Sequence, residues 1–428
     1  MSIYEPAAGL FGTHVTWQDV EEEMRKTIGT NARFGEGKKA TNISDKKGFM
    51  SRIALIEPNW ICVGQGAEIK ELPQQFIVKM SSMLAFIEMS KALEHNEGDA
   101  WSEEKLKAME KTTKMLHNRE VQAYRILTKE RNPKIPITKI YTLRQFDAEN
   151  HLKGFIISEY IPDVYQIRIH ECMSAEELLP VVRAAATFSA IGEKLVEEEK
   201  QFARGEDFLD IVFDQFMDEK TISKFETMIR ESFSVEHSEY LESVEEMLRI
   251  NRTHYTNPKM IPKFQKISEY FEYQPVLTHS DLYSANFLCT KNGEQVTLKA
   301  IIDFQTASFS SPAHDLGRMF LACLSTKDRR EKTDYLMEEY YRTFLEELDG
   351  RTAPFTLQQL KDSYQVHFPL TAFMILPGIT PMLNFLEIPE EEMESKRAVA
   401  MDKMIGLVED LLANHRSNMQ RFSTFFDN

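Results

Sequence analysis

The sequence predicts an α+β protein in two lobes, a small β-rich one over residues 1–160 and a large, mostly helical one over 161–428. Three observations carry this. Short segments rich in β-branched and alternating apolar residues concentrate before residue 162. Apolar residues at three- and four-residue spacing dominate the chain after it. One Asn-Gly pair, Asn292-Gly293, lies between apolar runs of the helical part and marks a single hairpin there.

The elements are justified in order. Residues 16–28 place Val20, Met24 and Ile28 four apart, as an amphipathic helix does. The stretch 48–63 resembles strands joined by a turn at Pro58-Asn59. QFIVKM at 75–80 is a short strand with one lysine among apolar neighbours. A charged helix is expected from about Trp101 to Lys129, then a strand at IYTL and a buried strand at GFIISEYI, stopped by Pro162-Asp163. Together these make a small mixed sheet with one long helix. A strong helical pattern begins at the capping candidate Ser174. Helical periodicity recurs through 207–250, 311–348, 356–384 and 389–417, with the β-like stretch 276–305 between.

Composition bounds the function. The 428 residues carry 51 Lys plus Arg against 67 Asp plus Glu, a net charge of −16. Phosphate-backbone affinity comes from clustered cations, so nucleic acid is not an expected partner. Anionic membrane surfaces are disfavoured for the same reason. Residues 368–386 lack charge and match a bilayer in length. Pro369, Pro377, Gly378 and Pro381 interrupt them, so two short buried helices with a Pro-Gly break are expected rather than a membrane span. The four cysteines, at 62, 172, 289 and 323, form no CxxC pair or zinc spacing and read as reduced thiols. With no secretory signal at the start, a cytoplasmic location is expected.

The informative stretch is VLTHSDLYSANFLCTKNGEQVTLKAIIDFQ, 276–305. It holds His279-x-Asp281-x-x-x-x-Asn286 and, after a turn, Ile301-Ile302-Asp303-Phe304. Phosphoryl transfer from a nucleotide needs a carboxylate for the acceptor hydroxyl and two further oxygen ligands for Mg²⁺. A carboxylate and an amide five residues apart on a tight loop can aim at one centre. A second carboxylate on the following strand can complete the metal site. The bland alternative is that Asp281 and Asn286 are turn formers and Asp303 ends a strand.

HSDLYSANFL followed by IIDFQ resembles the catalytic and metal-binding segments of the choline kinase and aminoglycoside phosphotransferase superfamily. DFQ in place of DFG is similar to its ecdysteroid-kinase-like (CHK kinase-like) branch, and KKATNISDKKGFMSRIALIEP resembles nematode members of that branch. The resemblance covers roughly residues 30–415 and implies a bilobal, protein-kinase-like fold around one cleft. It also implies Asp281 as catalytic base, Asn286 and Asp303 as Mg²⁺ ligands, and His279 as support for the catalytic loop. Ser280 departs from the pattern, since many relatives carry Gly or Asn there.

On the nucleotide side, the kinase-like pattern has a strand lysine, here Lys79, reach the phosphates and pair with a helix glutamate. Glu103, Glu104, Glu110 and Glu120 all lie on the expected helix. Glu120 is favoured, because Val121, Tyr124 and Leu127 give it a packed face. No GxGxxG is present, and the loop from Asn42 to Gly48, including Ser44, is the candidate phosphate cover. By position in the family pattern, the backbone of Glu159 and Ile161 would meet an adenine edge. Asp315 reads as a structural brace of the catalytic loop. Phe368, Phe373, Met374 and Ile375 read first as core.

The function expected is ATP- and Mg²⁺-dependent phosphoryl transfer to a hydroxyl of a small molecule. The branch resemblance suggests a steroid-like or other lipophilic alcohol, and a choline-like amine is the other acceptor considered. A protein acceptor is less expected, because no APE-type signature follows DFQ. The alternative is a catalytically silent kinase-like protein that binds a nucleotide or lipophilic ligand.

Overall fold

The computed structural model describes residues 1–44, 50–61, 72–93, 102–234, 237–293, 295–383 and 388–427. The chain divides into two compact units. The first comprises Met1–Arg131 with Ile137–Asp163, and the second Asn132–Pro136 with Val164–Asn428.

In the first unit the strands are β1 (Arg33–Phe34), β2 (Lys39–Asn42), β3 (Ser51–Glu57), β4 (Trp60–Ile61), β5 (Phe76–Ser81), β6 (Ile140–Arg144) and β7 (Phe155–Glu159). The helices are α1 (Trp17–Ile28), α2 (Leu84–Leu93) and α3 (Glu103–Glu130). A five-stranded sheet has the order β2-β3-β5-β7-β6. Every pairing in it is antiparallel, which corrects the expected mixed sheet. The reason is topological: α3 carries the chain from β5 to β6, and β7 then returns between them.

Side chains alternate across a strand. Phe76, Val78 and Met80 of β5 therefore share one face, packed with Val20 and Met24 of α1 and with Phe34, Ile56 and Trp60. Lys79 projects from the other face. Helix α1 forms where periodicity places it, because Thr16 and Asp19 close a reciprocal capping box. The strands expected on either side of Pro58-Asn59 form, as β3 and β4. β3 does not pair with β4; β4 pairs with β1, in the register Phe34↔Trp60. Gly35 donates to the carbonyl of Asn59 at 2.9 Å. A Cβ at Gly35 would stand 2.5 Å from that oxygen, so this close approach needs glycine.

In the second unit β8 (Val276–Thr278) pairs antiparallel with β11 (Ser308–Ser310). β9 (Phe287–Asn292) and β10 (Gln295–Ile301) form the predicted hairpin, with Gly293 at φ +61° in its turn. The helices are α4 (Ala175–Lys194), α5 (Glu197–Lys200), α6 (Phe208–Gln215), α7 (Glu219–Ser234), α8 (Leu241–Ile250), α9 (Ile261–Gln265) and α10 (Ile267–Tyr270). They continue as α11 (Ala313–Cys323), α12 (Thr326–Glu347), α13 (Leu357–Ile375), α14 (Thr380–Leu383), α15 (Glu390–Arg421) and α16 (Ser423–Phe426). Ser174 caps α4 through a reciprocal box with Glu177.

Helix α13 runs through Pro369 and ends at Ile375, so of the four expected interruptions the Leu376-Pro377-Gly378 turn makes the break. Among the described residues no helix is long and apolar enough to cross a membrane. The architecture is the α+β one expected, a β-sheet unit followed by a mostly helical one.

Candidate active site

The expected site residues fall into two groups, one in each unit. In the first unit Lys79 Nζ donates to both carboxylate oxygens of Glu120, at 2.9 and 2.7 Å. Strand alternation sends Lys79 to the face opposite the α1 core, and α3 supplies Glu120. The ion pair is largely withdrawn from water, with side-chain exposures of 18% and 2%. Such a pair is not a cheap stabiliser, because desolvation offsets much of its attraction.

Helix α3 is tied to the end of β6 and the residues just after it. His117 is bonded to the Arg144 carbonyl at 2.8 Å, and Asn118 donates to the Phe146 carbonyl at 2.9 Å. Burial pushes the His117 imidazole down to about 4, so it stays neutral. Ser44 is buried, and both its N–H and its hydroxyl turn back to the Asn42 side chain. Gly48 lies outside the described residues. Glu159 ends β7, where its N–H donates to the Lys139 carbonyl at 2.8 Å. Ile161 lies just beyond that strand and is half-buried.

In the second unit β8 delivers the chain into a loop whose backbone is over-determined. Fully buried Asp315, in the first turn of α11, accepts from the N–H groups of His279 at 2.8 Å and Ser280 at 2.7 Å. Burial raises its carboxyl, against the lowering effect of His279 and these N–H bonds. Asp315 is thus the brace expected of it. Ser280 takes φ +67°, the left-handed region that Gly and Asn tolerate best. Its hydroxyl is bonded to Ser308 and Thr278, which helps hold that conformation.

His279 is tied on every side. Its Nδ1 accepts from the Asp281 N–H at 3.3 Å, so Nε2 carries the proton and donates to the Ile302 carbonyl at 3.0 Å. Its carbonyl accepts from the Thr306 hydroxyl at 2.8 Å, and its ring lies 4.8 Å from that of Phe304. The imidazole therefore staples the loop to the segment that follows β10.

Asn286 Nδ2 donates to the Asp281 carbonyl at 2.8 Å and stands 3.5 Å from Asp281 Oδ2. With its amide nitrogen turned inward, its side-chain oxygen is the atom suited to a cation. The Ile302 N–H donates to the Asn286 carbonyl at 3.1 Å, which places Asp303 beside this loop. Asp303 takes φ +67°, so the chain bends sharply where the strand ends. His279, Asp281, Asn286 and Asp303 are thus brought together. Among the described residues no group of three His, Cys, Asp or Glu side chains could hold a metal ion. Any cation here would rest on Asn286, Asp303 and oxygens from ligand or water.

Sequence reasoning missed Arg318. This α11 residue donates from Nη2 to Asp281 Oδ1. The available signal was its position as the one ionisable side chain between Asp315 and Lys327 besides Cys323. Nearby, burial pushes the Tyr283 phenol up, and the Asp281 charge adds to it.

A family model described as DUF1679, "Uncharacterized oxidoreductase dhs-27", matches residues 3–419. The chain belongs to the DUF1679 family. Over 143 residues it is 31% identical to "Uncharacterized kinase-like protein D1044.1" of Caenorhabditis elegans, a match covering 32% of this chain and 37% of that relative. The match to the nematode kinase-like relative spans about a third of each chain. Among solved structures, it is similar at 12% identity to Plasmodium vivax ethanolamine kinase, with a TM-score of 0.40, covering 87% of this chain and 82% of that one. It is also similar at 12% identity to the microcompartment-associated aminopropanol kinase, with a TM-score of 0.43, covering 92% of this chain and 98% of that one.

Proposed function

We propose that this chain transfers the γ-phosphoryl group of ATP, with Mg²⁺, to a hydroxyl of a small molecule in the cytoplasm. The observation that carries the reading is the loop 279–286. There the Asn286 amide is bonded to the backbone carbonyl of Asp281, and the end of the following hairpin, bonded to Asn286 through Ile302, brings Asp303 beside them. The Lys79–Glu120 pair and the name of the kinase-like relative support it.

In this reading Asp281 orients the acceptor hydroxyl and takes its proton as the oxygen attacks phosphorus. Asn286 and Asp303 would hold Mg²⁺, whose chemistry is to neutralise charge on the phosphates. Lys79, held straight by Glu120, would meet the α and β phosphates. Because the Glu159 N–H is already bonded to Lys139, the adenine-facing role at that residue falls to its carbonyl, and the following donor would be the Ile161 N–H. Ser44, with its hydroxyl turned to Asn42, would contribute to a phosphate-covering loop through position rather than through that hydroxyl. The acceptor we favour is a lipophilic alcohol, on the branch resemblance.

The family description also carries the word oxidoreductase. A dinucleotide-binding unit needs parallel strands and a glycine-rich first turn. The sequence contains no GxGxxG, and its GxGxxA at Gly35–Ala40 joins β1 to β2 rather than a strand to a helix. Among the described residues the ladders between named strands are antiparallel. The word stays with the protein it names.

The test separates metal from base. Asp303→Asn is expected to weaken binding of Mg-ADP in a thermal-shift titration. Asp281→Asn is expected to leave that affinity in place while phosphoryl transfer falls by about 10²–10⁴-fold. A silent binding protein would bind Mg-ADP and show no transfer in the wild type.

A further inference from the structure

The contact between Arg318 and Asp281 goes beyond the roles assigned above. It joins a helix to a loop 37 residues earlier in sequence, inside one unit. The guanidinium carbon lies 5.2 Å from the ring centre of Phe208 and 5.0 Å from that of Tyr283. Both aromatic contacts restrict a planar cation that would otherwise sample many rotamers. The Arg318 side chain is 14% exposed, and its Nε is buried without a hydrogen-bond partner. A guanidinium that leaves one N–H unpaired in order to reach Asp281 is poorly optimised for stability alone.

The two oxygens of the carboxylate are treated differently. Oδ1 accepts from Arg318. Oδ2 stands 3.5 Å from Asn286 Nδ2, the outer limit of a hydrogen bond. One oxygen is therefore pinned, and the other is held at most weakly.

We propose that Arg318 is a positioning residue for phosphoryl transfer: it fixes Asp281 Oδ1 so that Oδ2 faces the acceptor hydroxyl. The inference rests on reading Asp281 as the base. In the step itself the hydroxyl proton passes to Oδ2, the acceptor oxygen bonds to the γ-phosphorus, and the bond from that phosphorus to the bridging oxygen breaks to release ADP. Arg318 neither gains nor loses a proton. Lysine cannot substitute fully, because a point charge lacks both the planar fork and the stacking.

The test is a double-mutant cycle on the full chain, with Mg-ATP as donor and water as the acceptor. Arg318→Met is expected to lower the hydrolysis rate by about 10²-fold, the cost of a misplaced reacting group. Its Mg-ADP affinity is expected to stay at the wild-type value. On the Asp281→Asn background the same change is expected to cost nothing further, because Arg318 acts through that carboxylate. Arg318→Lys should recover only part of the loss, and added guanidinium ion should partly restore Arg318→Ala. A purely structural role would move none of these rescue readouts.

Full rate in Arg318→Met overturns the proposal, as does a further loss on the Asp281→Asn background. If Arg318→Met does not fold, full rate in Arg318→Lys overturns it equally. Asp281→Asn at wild-type rate, or a wild type that hydrolyses nothing, overturns the reading of the base and this inference with it. An inactive Asp281→Asn beside a normal Arg318→Met overturns this inference alone.

Discussion

Asp315 makes two buried bonds that nothing else nearby replaces. Removing its carboxylate leaves the N–H groups of His279 and Ser280 without acceptors, and each such orphan costs about 1–3 kcal/mol. Asp315→Ala is therefore expected to lose about 2–5 kcal/mol in urea unfolding, and Asp315→Asn, which keeps one acceptor, roughly half of that. Equal midpoints for both variants and wild type would remove Asp315 from the bracing of the loop. At this scale the sequence was legible wherever chemistry restricts the side chain. Glu120, chosen from four glutamates by its packed face, is the one that meets Lys79. Arg318 was not legible, because an ion pair between a loop and a distant helix leaves no local spacing to read. The strain at Ser280 showed only as a departure from a pattern; its φ of +67° supplies the physical reason.

At the scale of elements, helix starts were legible because capping is local: Thr16 and Ser174 both close reciprocal boxes. Strand partners were not. β4 comes two residues after β3 yet pairs with β1, because the tertiary approach of Gly35 to Asn59 decides it. The packing of α4 on β8 carries a prediction. A Cβ at Gly192 would stand 2.4 Å from the Leu277 Cβ. Alanine ordinarily gains about 1 kcal/mol over glycine inside a helix. Overpacking at this site costs about 1–3 kcal/mol and wins. Gly192→Ala should lower the urea midpoint, and the displaced β8, which leads straight into the loop 279–286, should lower turnover as well. A raised midpoint would show that α4 and β8 are less tightly fitted than that distance implies.

At the scale of the molecule, several histidines are buried and neutral. Burial pushes His117 and His367 down to about 4 and His314 well below the ordinary range. His314 and His367 stack with ring centres 5.4 Å apart. In the unfolded chain each imidazole binds a proton near pH 6.5, while in the folded chain it does not until the pH approaches its depressed value. The unfolded state then binds more protons, so stability falls as pH falls from about 6.5 toward 4, by up to about 1.4 kcal/mol per pH unit for each such group. Thermal midpoints should drop between pH 7 and 5. His367→Phe, which also removes a buried Nδ1 without a partner, should flatten that slope. An unchanged slope would mean that His367 does not resist protonation.

The net charge of −16 takes a specific meaning at the same scale. In the function proposed above, the positive charge that a nucleotide needs falls to Lys79 in the first unit and to a cation on Asn286 and Asp303 in the second. The central claim is phosphoryl transfer to a small-molecule hydroxyl. Its most direct test is to incubate the full chain with Mg²⁺, γ-labelled ATP and a metabolite extract, and to search by mass for products that gain one labelled phosphoryl group. The account predicts such a product with the wild type, none without Mg²⁺, and a rate about 10²–10⁴-fold lower with Asp281→Asn. A labelled product formed equally by Asp281→Asn, or no labelled product from the wild type, would contradict it.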